Sequence, residues 1–402
     1  MSTIDVTVVG AGPAGIAAAL TAARAGLDVL VIDRATFPRD KTCGDGLTAL
    51  ALGELERLGI DPRRTASWQP VERVRLRSPR GRQLTLPMPA DGGHHSAVVS
   101  RMELDHHLVV SAGEAGVDVR QGVGFVGLTQ RERQGHVSLD LSDGSTMCTR
   151  WLIAADGMWS AVRKATGTAQ AGYRGDWHAA RQYFTSTGEE SRDQWVWFEP
   201  DLLPGYAWSF PLPGGVVNVG FGIVRGDALS GKDFAQTWAE LLERPHIRGV
   251  LGELTPQSPY RAWPIPARIG DLDLTAGRVL FVGDAAAATD PMTGEGIGQA
   301  LETGRLAATA IAGGGPTGVI ASRYRTLIAR NLRADDRMAR VLSSLLARRW
   351  AAESALRLVD TSDWTRRHFA RWMFEDYPRA LICTPRRWRR GMFTPTGSLA
   401  GS

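Results

Sequence analysis

Residues 4–10 (IDVTVVG) are a short run of apolar and β-branched positions, the pattern of a strand buried on both faces. Residues 14–25 are rich in Ala and Leu and stop at Gly26, which predicts a helix and its C-terminal signal. A second buried strand follows at 28–33 and ends on Asp33. Similar runs recur at 151–156 (WLIAAD) and 278–282 (RVLFV), ending at Asp156-Gly157 and Gly283-Asp284. Helices are predicted from Ser160, over 101–114, and from near Gln299 through Ile311. Alternating positions predict a three-stranded meander over 120–150, with turns at Gly135 and Asp143-Gly144. Further strands are predicted at 71–77, 83–87, 193–198, 205–210 and 216–223. From about 318 the period becomes helical: Met338, Val341, Leu342, Leu345 and Leu346 recur at i, i+3, i+4, i+7 and i+8. Strands interleaved with helices predict an α/β fold.

Composition narrows the function classes. The chain has 402 residues, a formal charge of +5, 43% hydrophobic and 22% charged residues, ordinary for a folded globule. Residues 361–402 carry eight arginines and three acids, so the whole surplus lies there and residues 1–360 balance. A neutral body argues against nucleic-acid binding. The three cysteines are far apart, with no disulfide framework or metal knuckle, which fits a reducing compartment. His94-His95 and His106-His107 lack metal-ligand spacing, so no metal is expected. There is neither a Walker motif nor a GxSxG elbow. The most apolar stretch, 14–33, is broken by Arg24 and Asp28, and the N-terminus runs straight into a strand. Neither a transmembrane helix nor a secretory signal is expected, and the location expected is cytoplasmic.

The first strand runs into Gly10-Ala11-Gly12-Pro13-Ala14-Gly15, a GxGxxG turn in strand–turn–helix–strand context. Gly10 permits the tight turn, Gly12 lets a pyrophosphate approach the backbone, and Gly15 lets the helix pack on the sheet. The helix N-terminus at Pro13-Ala14 faces the phosphates. Asp33, with Arg34 beside it, sits where an acid accepts hydrogen bonds from an adenosine ribose. The turn alone does not choose between NAD and FAD.

The later motifs carry a resemblance. Residues 278–298 end in Asp290-Pro291-Met292-Thr293-Gly294-Glu295-Gly296-Ile297-Gly298, and with Asp156-Gly157 and Gly283-Asp284 they resemble the FAD-dependent oxidoreductases that include aromatic hydroxylases and flavin halogenases. The loop Phe37-Pro38-Arg39-Asp40-Lys41-Thr42-Cys43-Gly44-Asp45-Gly46 and the run Pro204-Gly205-Tyr206-Ala207-Trp208-Ser209-Phe210-Pro211 resemble the geranylgeranyl reductase family within that class. The resemblance implies FAD as cofactor. It implies cofactor contacts at Cys43, Gly44, Arg101, Asp156, Gly157, Gly283, Asp284, Pro291, Gly294, Gly296 and Ile297. It also implies reduction of carbon–carbon double bonds in an isoprenoid chain, with NADPH or a ferredoxin as electron donor.

Strand alternation puts Tyr206, Trp208 and Phe210 on one face, a flat apolar wall with two polar handles. Those residues and Pro211 are the expected substrate contacts; Cys43, Tyr206 and Trp208 are the expected catalytic positions, with Cys43 or Tyr206 as proton source. Halogenases require a lysine between flavin and substrate, and Lys41, Lys164 and Lys232 are not in such a context. Two alternatives remain open: a monooxygenase acting on an aromatic, polyketide or terpenoid, and a flavin-bearing lipid carrier.

The fold class implied is a Rossmann-like FAD-binding domain of the glutathione-reductase/aromatic-hydroxylase type with an inserted α+β substrate domain. The expected division is 1–65, 98–165 and 268–316 for FAD, 66–97 and 166–267 for substrate, and 317–402 as a helical region with a basic tail. Trp364, Phe369, Trp372, Met373, Phe374 and Trp388 interleave with the tail's arginines, a composition suited either to a membrane interface on the inner face or to a packed terminal helix. Residues 394–402 are expected to be unstructured.

Overall fold

The computed structural model describes residues 3–89, 92–131, 135–226, 231–388 and 397–400. Among them two eight-stranded sheets dominate. The first is built on a parallel core in the order Val279–Phe281, Thr146–Ala154, Ile4–Val9, Val29–Asp33, Asp118–Gln121. Strands Ile4–Val9, Val29–Asp33 and Val279–Phe281 are largely buried, as their apolar runs require, while Asp118–Gln121 is an exposed edge. Helices Pro13–Arg24 and Ile297–Ala312 pack against each other. All the parallel strands end on one edge, the place where open α/β sheets bind ligands.

The predicted meander is present as Phe125–Arg131, His136–Leu141 and Thr146–Ala154, with Gly135 and Gly144 at positive φ in its turns. The last strand continues without a break into the sheet core, so the meander and the run at 151–156 are one element.

The second sheet runs Leu254–Pro256, Trp177–Ser186, Val216–Val224, Tyr206–Leu212, Gln194–Trp197, Arg73–Arg77, Gln83–Pro87, with Arg261–Ile265 also on Trp177–Ser186. Its ten-residue strand Trp177–Ser186 was not predicted. One face of that strand carries the buried Arg181 and the half-buried Tyr183, so apolar alternation does not mark it. A small sheet of Gly46–Leu47, Ala97–Val98 and Gln69–Pro70 joins the two bodies.

Helices Thr317–Asn331, Arg333–Leu346, Arg349–Val359 and Asp363–Met373 follow. The helical period read at 338–346 is present as a helix. Helix Arg333–Leu346 buries Asp336, Ala339 and Ser343, while Val341 and Leu345 are exposed. Asp336 turns inward because it pairs with Arg340, which also reaches Asp271 and the Ala267 carbonyl.

The tail is likewise not a separate basic appendage. The Ala49 amide donates to the Phe374 carbonyl, and Thr48 donates to Glu375. Arg371 and Arg379 are buried and paired with Asp376 and Asp290, and Arg387 pairs with Asp335. The expectation of an unstructured end at 394–402 lies outside the described residues at 394–396 and 401–402. At 397–400 the chain instead forms a bridge with His94, and Leu399 donates to Glu56. Among the described residues, no helix is long and apolar enough to cross a membrane, and no group of His, Cys, Asp or Glu is disposed to hold a metal ion.

Candidate functional site

A cavity of about 660 Å³ runs from the first sheet's C-terminal edge to the second sheet's face. Its volume is that of a cofactor or ligand site. At one end stands the first glycine turn. Gly10 has φ +106°, and a Cβ there would lie 2.3 Å from the Ala155 carbonyl oxygen, so only glycine fits. A Cβ on Gly15 would lie 1.8 Å from the Gly10 oxygen. Gly15 is therefore a packing position behind the wall, while Gly10, Gly12, Pro13 and Ala14 line the cavity.

Helix Pro13–Arg24 has Gly12 at its N-cap and no side-chain cap; helix Ile297–Ala312 has Gly296 there and none either. Both N-termini reach the cavity, through Pro13-Ala14 and Gly296-Ile297. First-turn amides without a cap and the helix dipole favour negative charge. Two such ends on one cavity fit a ligand with a pyrophosphate at one point and an electron-rich ring edge at another.

Asp33 and Arg34 line the same cavity. The Asp33 carboxylate accepts the Ala11 and Ala35 amides at 2.8 Å each, which holds the turn in place and leaves its other lone pairs open. Asp156 and Gly157 also line it. Here the carboxyl is turned into its own loop, accepting from Ser160 Oγ and the Val162 amide, and burial pushes its pKa up. Gly283, Asp284 and Gly294 complete this side, whereas Pro291 stands off the wall and its carbonyl accepts the Trp177 indole N–H.

Tyr206, Trp208 and Phe210 form the opposite wall, with neighbouring ring centroids 6.0 and 6.1 Å apart. Their facing partners on Val216–Val224 are Gly222, Gly220 and Asn218. The Trp208 ring lies over Gly220, where a Cβ would come within 2.3 Å of it. Pro211 alternates away from the cavity and pairs with Val217. Both polar handles are committed inside the protein. The Tyr206 hydroxyl donates to the Thr293 carbonyl, and the Trp208 indole N–H donates to Asn218 at 3.2 Å. The wall therefore presents apolar surface. Burial holds the Tyr206 phenol well above its ordinary pKa.

Cys43 and Gly44 line the cavity between the glycine turn and the aromatic wall. Burial pushes the Cys43 thiol up to about 11, against the pull of Arg101. The Cys43 sulfur accepts the Asp45 amide. Near neutral pH Cys43 is therefore held almost entirely as the thiol, while the thiolate is the form that reacts. Iodoacetamide at that pH is expected to label the exposed Cys383 and leave Cys43 unmodified, as peptide mass mapping would read. Arg101 is buried, lines the same cavity and makes a two-point pair with Asp105 at 2.8 Å.

Several groups in or behind the wall were not singled out from sequence. Asp45 is fully buried at φ +66°, and burial raises its carboxyl to about 6. It accepts from the Tyr183 hydroxyl, Asn218 Nδ2 at 2.8 Å and the Arg101 amide. Arg181 pairs with Asp40 and lies 4.3 Å over the Tyr183 ring. Lys41 also lines the cavity, 4.3 Å over the Trp263 ring, and burial lowers its pKa. Glu295, inside the second glycine turn, lines it too. Tyr183 and Arg181 come from the unpredicted strand. Asn218 sits in a predicted strand, and its polar side chain between valines was the available signal.

Residues 3–312 match the family described as FAD binding domain. The chain is 36% identical over 366 residues to a menaquinone reductase of Mycolicibacterium smegmatis, covering 85% of this chain and 84% of that protein. It is 34% identical to digeranylgeranylglycerophospholipid reductase 1 of Methanopyrus kandleri, covering 75% and 79%. Its fold is similar to the crystal structure of a geranylgeranyl bacteriochlorophyll reductase-like protein from Thermoplasma acidophilum, with TM-score 0.78, 24% identity, and 96% and 99% of the two chains covered. The turn at Gly10 and both uncapped helix ends lie within the matched residues, and the chain belongs to the FAD binding domain family, in the branch that holds the menaquinone and digeranylgeranylglycerophospholipid reductases.

Proposed function

We propose that this protein is an FAD-dependent reductase of carbon–carbon double bonds in the isoprenoid chain of a prenylated lipid or quinone. The observation that carries the reading is one cavity with a dinucleotide turn at one end and three aromatics, their polar groups already satisfied, at the other. An apolar chain loses nothing by lying on such a wall, while a polar aromatic substrate would find no free hydrogen-bonding handle on it. The relatives named for menaquinone and for digeranylgeranylglycerophospholipid point the same way.

On this reading Gly10, Gly12, Pro13 and Ala14 hold the pyrophosphate, Asp33 and Arg34 the adenosine end, and Asp284, Gly294, Gly296 and Ile297 the flavin end. Bound FAD, once reduced, supplies the hydride. The protein's own part is to align the alkene and exclude water. Tyr206, Trp208 and Phe210 do this by lying flat along the chain. Cys43 holds its proton and lines the cavity beside Gly44. NADPH or a ferredoxin recharges the cofactor. The FAD domain comprises 1–65, 98–165 and 268–316, and the substrate domain 66–97 and 166–267. Exposed Trp364, Ile382 and Trp388 beside the tail's arginines favour contact with the surface of the membrane that holds such substrates.

The test is anaerobic. Dithionite-reduced holoprotein is incubated with menaquinone and with a digeranylgeranyl glycerophospholipid, and the products are weighed by mass spectrometry. A gain of two hydrogens per reduced bond is expected. Turnover that requires oxygen and leaves one oxygen atom in the product would replace this reading with the monooxygenase one.

A further inference from the structure

An alkene reduced by hydride needs a proton at its second carbon, and the two proton sources expected from sequence are poorly disposed to give one. The Tyr206 proton is committed to the Thr293 carbonyl. Cys43 sits between Arg101 and the Asp45 amide, and its thiol is a weak acid. A third acid lines the same wall. Glu295 lies in the turn between Gly294 and Gly296, and its carboxyl points into the gap beside Gly46 and Phe210. A Cβ on Gly46 would lie 3.6 Å from Glu295 Oε1 and 3.2 Å from the Phe210 ring. Among the described residues no hydrogen bond is made to that carboxyl. The Glu295 amide donates to Thr293 Oγ1, and its carbonyl accepts from Asp290.

Its surroundings favour the neutral acid. Two further carboxyls, Asp290 and Glu375, stand behind it, and the cation they share is Arg379. Arg379 lies 3.2 Å from Asp290 and 3.8 Å from Glu375. Three acids against one arginine leave an excess of negative charge, which protonation relieves. Tyr206, Cys43 and Asp45 also lie near it, and none of them is a cation. Burial and these acids hold Glu295 at about 8. Such a group is charged with a proton at neutral pH and still acidic enough to release it, the property of a general acid.

We propose that Glu295 is the acid that gives the proton to the second alkene carbon. This rests on the reductase reading. The balance is complete: the π bond breaks, one carbon takes the hydride with its electron pair, the other takes the Glu295 proton, and two C–H bonds form. Glu295 is left as a carboxylate and takes a proton back from water. Glu375, held by Thr48 and Gln299, faces it from the tail side and is the adjacent group through which that proton passes.

The test compares holoprotein of the wild type with Glu295→Gln and Glu295→Asp, under the anaerobic assay above, between pH 6 and 10. Wild-type turnover is expected to fall as pH rises through about 8. Glu295→Gln, with FAD absorbance retained, is expected to turn over ~10²–10⁴-fold more slowly and to lose that alkaline limb. Glu295→Asp, which keeps an acid, is expected to recover part of the rate and the limb. Infrared difference spectra between pH 6 and 10, taken without substrate, are expected to lose one protonated-carboxyl band in Glu295→Gln. A Glu295→Gln protein that turns over within about threefold of wild type, with the limb intact, overturns the proposal. A wild type that reduces no prenyl substrate overturns the reductase reading and this role with it, even where the infrared band assigns the proton to Glu295.

Discussion

Replacing Gly15 by valine is expected to abolish FAD retention and to destabilise the protein by about 3 kcal/mol or more. The position looks permissive, since it lies in a helix where any good helix former would raise intrinsic propensity. Geometry decides otherwise. A Cβ at residue 15 would sit 1.8 Å from the Gly10 carbonyl oxygen and 3.2 Å from Val8 Cγ1. The obstacle is backbone, which cannot rotate aside like a side chain. Gly10 in turn cannot yield, because its own φ of +106° brings it against Ala155. The helix cannot back away either: Gly304 of helix Ile297–Ala312 meets it from the other side, where a Cβ would be 2.0 Å from the Ala14 oxygen. The turn that would hold the pyrophosphate must therefore distort. Gly26→Ala is the matched control. Gly26 has φ +80° with nothing within 4 Å, so alanine there is expected to cost only about 1 kcal/mol of backbone strain and to leave FAD bound. Flavin absorbance after gel filtration and urea denaturation read the two effects. A Gly15→Val protein that stays yellow with an unchanged midpoint would sink the account.

The same contrast explains what the sequence could reveal. Gly10, Gly15, Gly283 and the 294–298 turn were legible because their constraints are local: a chain reversal between strand and helix demands glycine at fixed spacing. The aromatic face was legible because a strand has period two, which put Tyr206, Trp208 and Phe210 together without tertiary information. Period two also sets Pro211 on the other face. The strand carrying Arg181 and Tyr183 was hidden because buried polar residues break the apolar alternation by which strands are read. The inward face of helix Arg333–Leu346 was hidden for a related reason: Asp336 is buried beside its partner Arg340, while Val341 and Leu345 stay exposed. Glu375 and Arg379 lie about 80 residues beyond the turn they support, and nothing in their local pattern links them to Asp290. The tail's positive charge suggested a surface function, yet two of its arginines neutralise acids in the interior.

Arg379→Met is accordingly expected to cost about 3–5 kcal/mol, measured by urea denaturation of the apoprotein at pH 7.5. Methionine keeps the arginine's unbranched apolar stem but is shorter and lacks the guanidinium, which also lies over the Trp372 ring and donates to the Trp372 carbonyl. What is lost is the cation between Asp290 and Glu375. Asp290 Oδ1 keeps the Met292 and Thr293 amides and the Thr293 hydroxyl, but Oδ2 loses its partner. Glu375 keeps only Thr48 and Gln299. The pH dependence separates this from a simple packing defect. Burial and Asp290 raise the Glu375 carboxyl to about 7, against 4.5 unperturbed. Between those values the folded protein holds a proton that the unfolded chain has released, so this site's contribution is complete below about pH 4.5 and is lost as pH rises through about 7. Without Arg379 the folded carboxyl is pushed higher still, and the loss continues to higher pH. The deficit of Arg379→Met relative to wild type should therefore be smallest near pH 5 and grow towards pH 8. A deficit constant with pH would mean that Arg379 only fills space, whereas the expected slope would tie the tail's charge to the acids behind the second glycine turn.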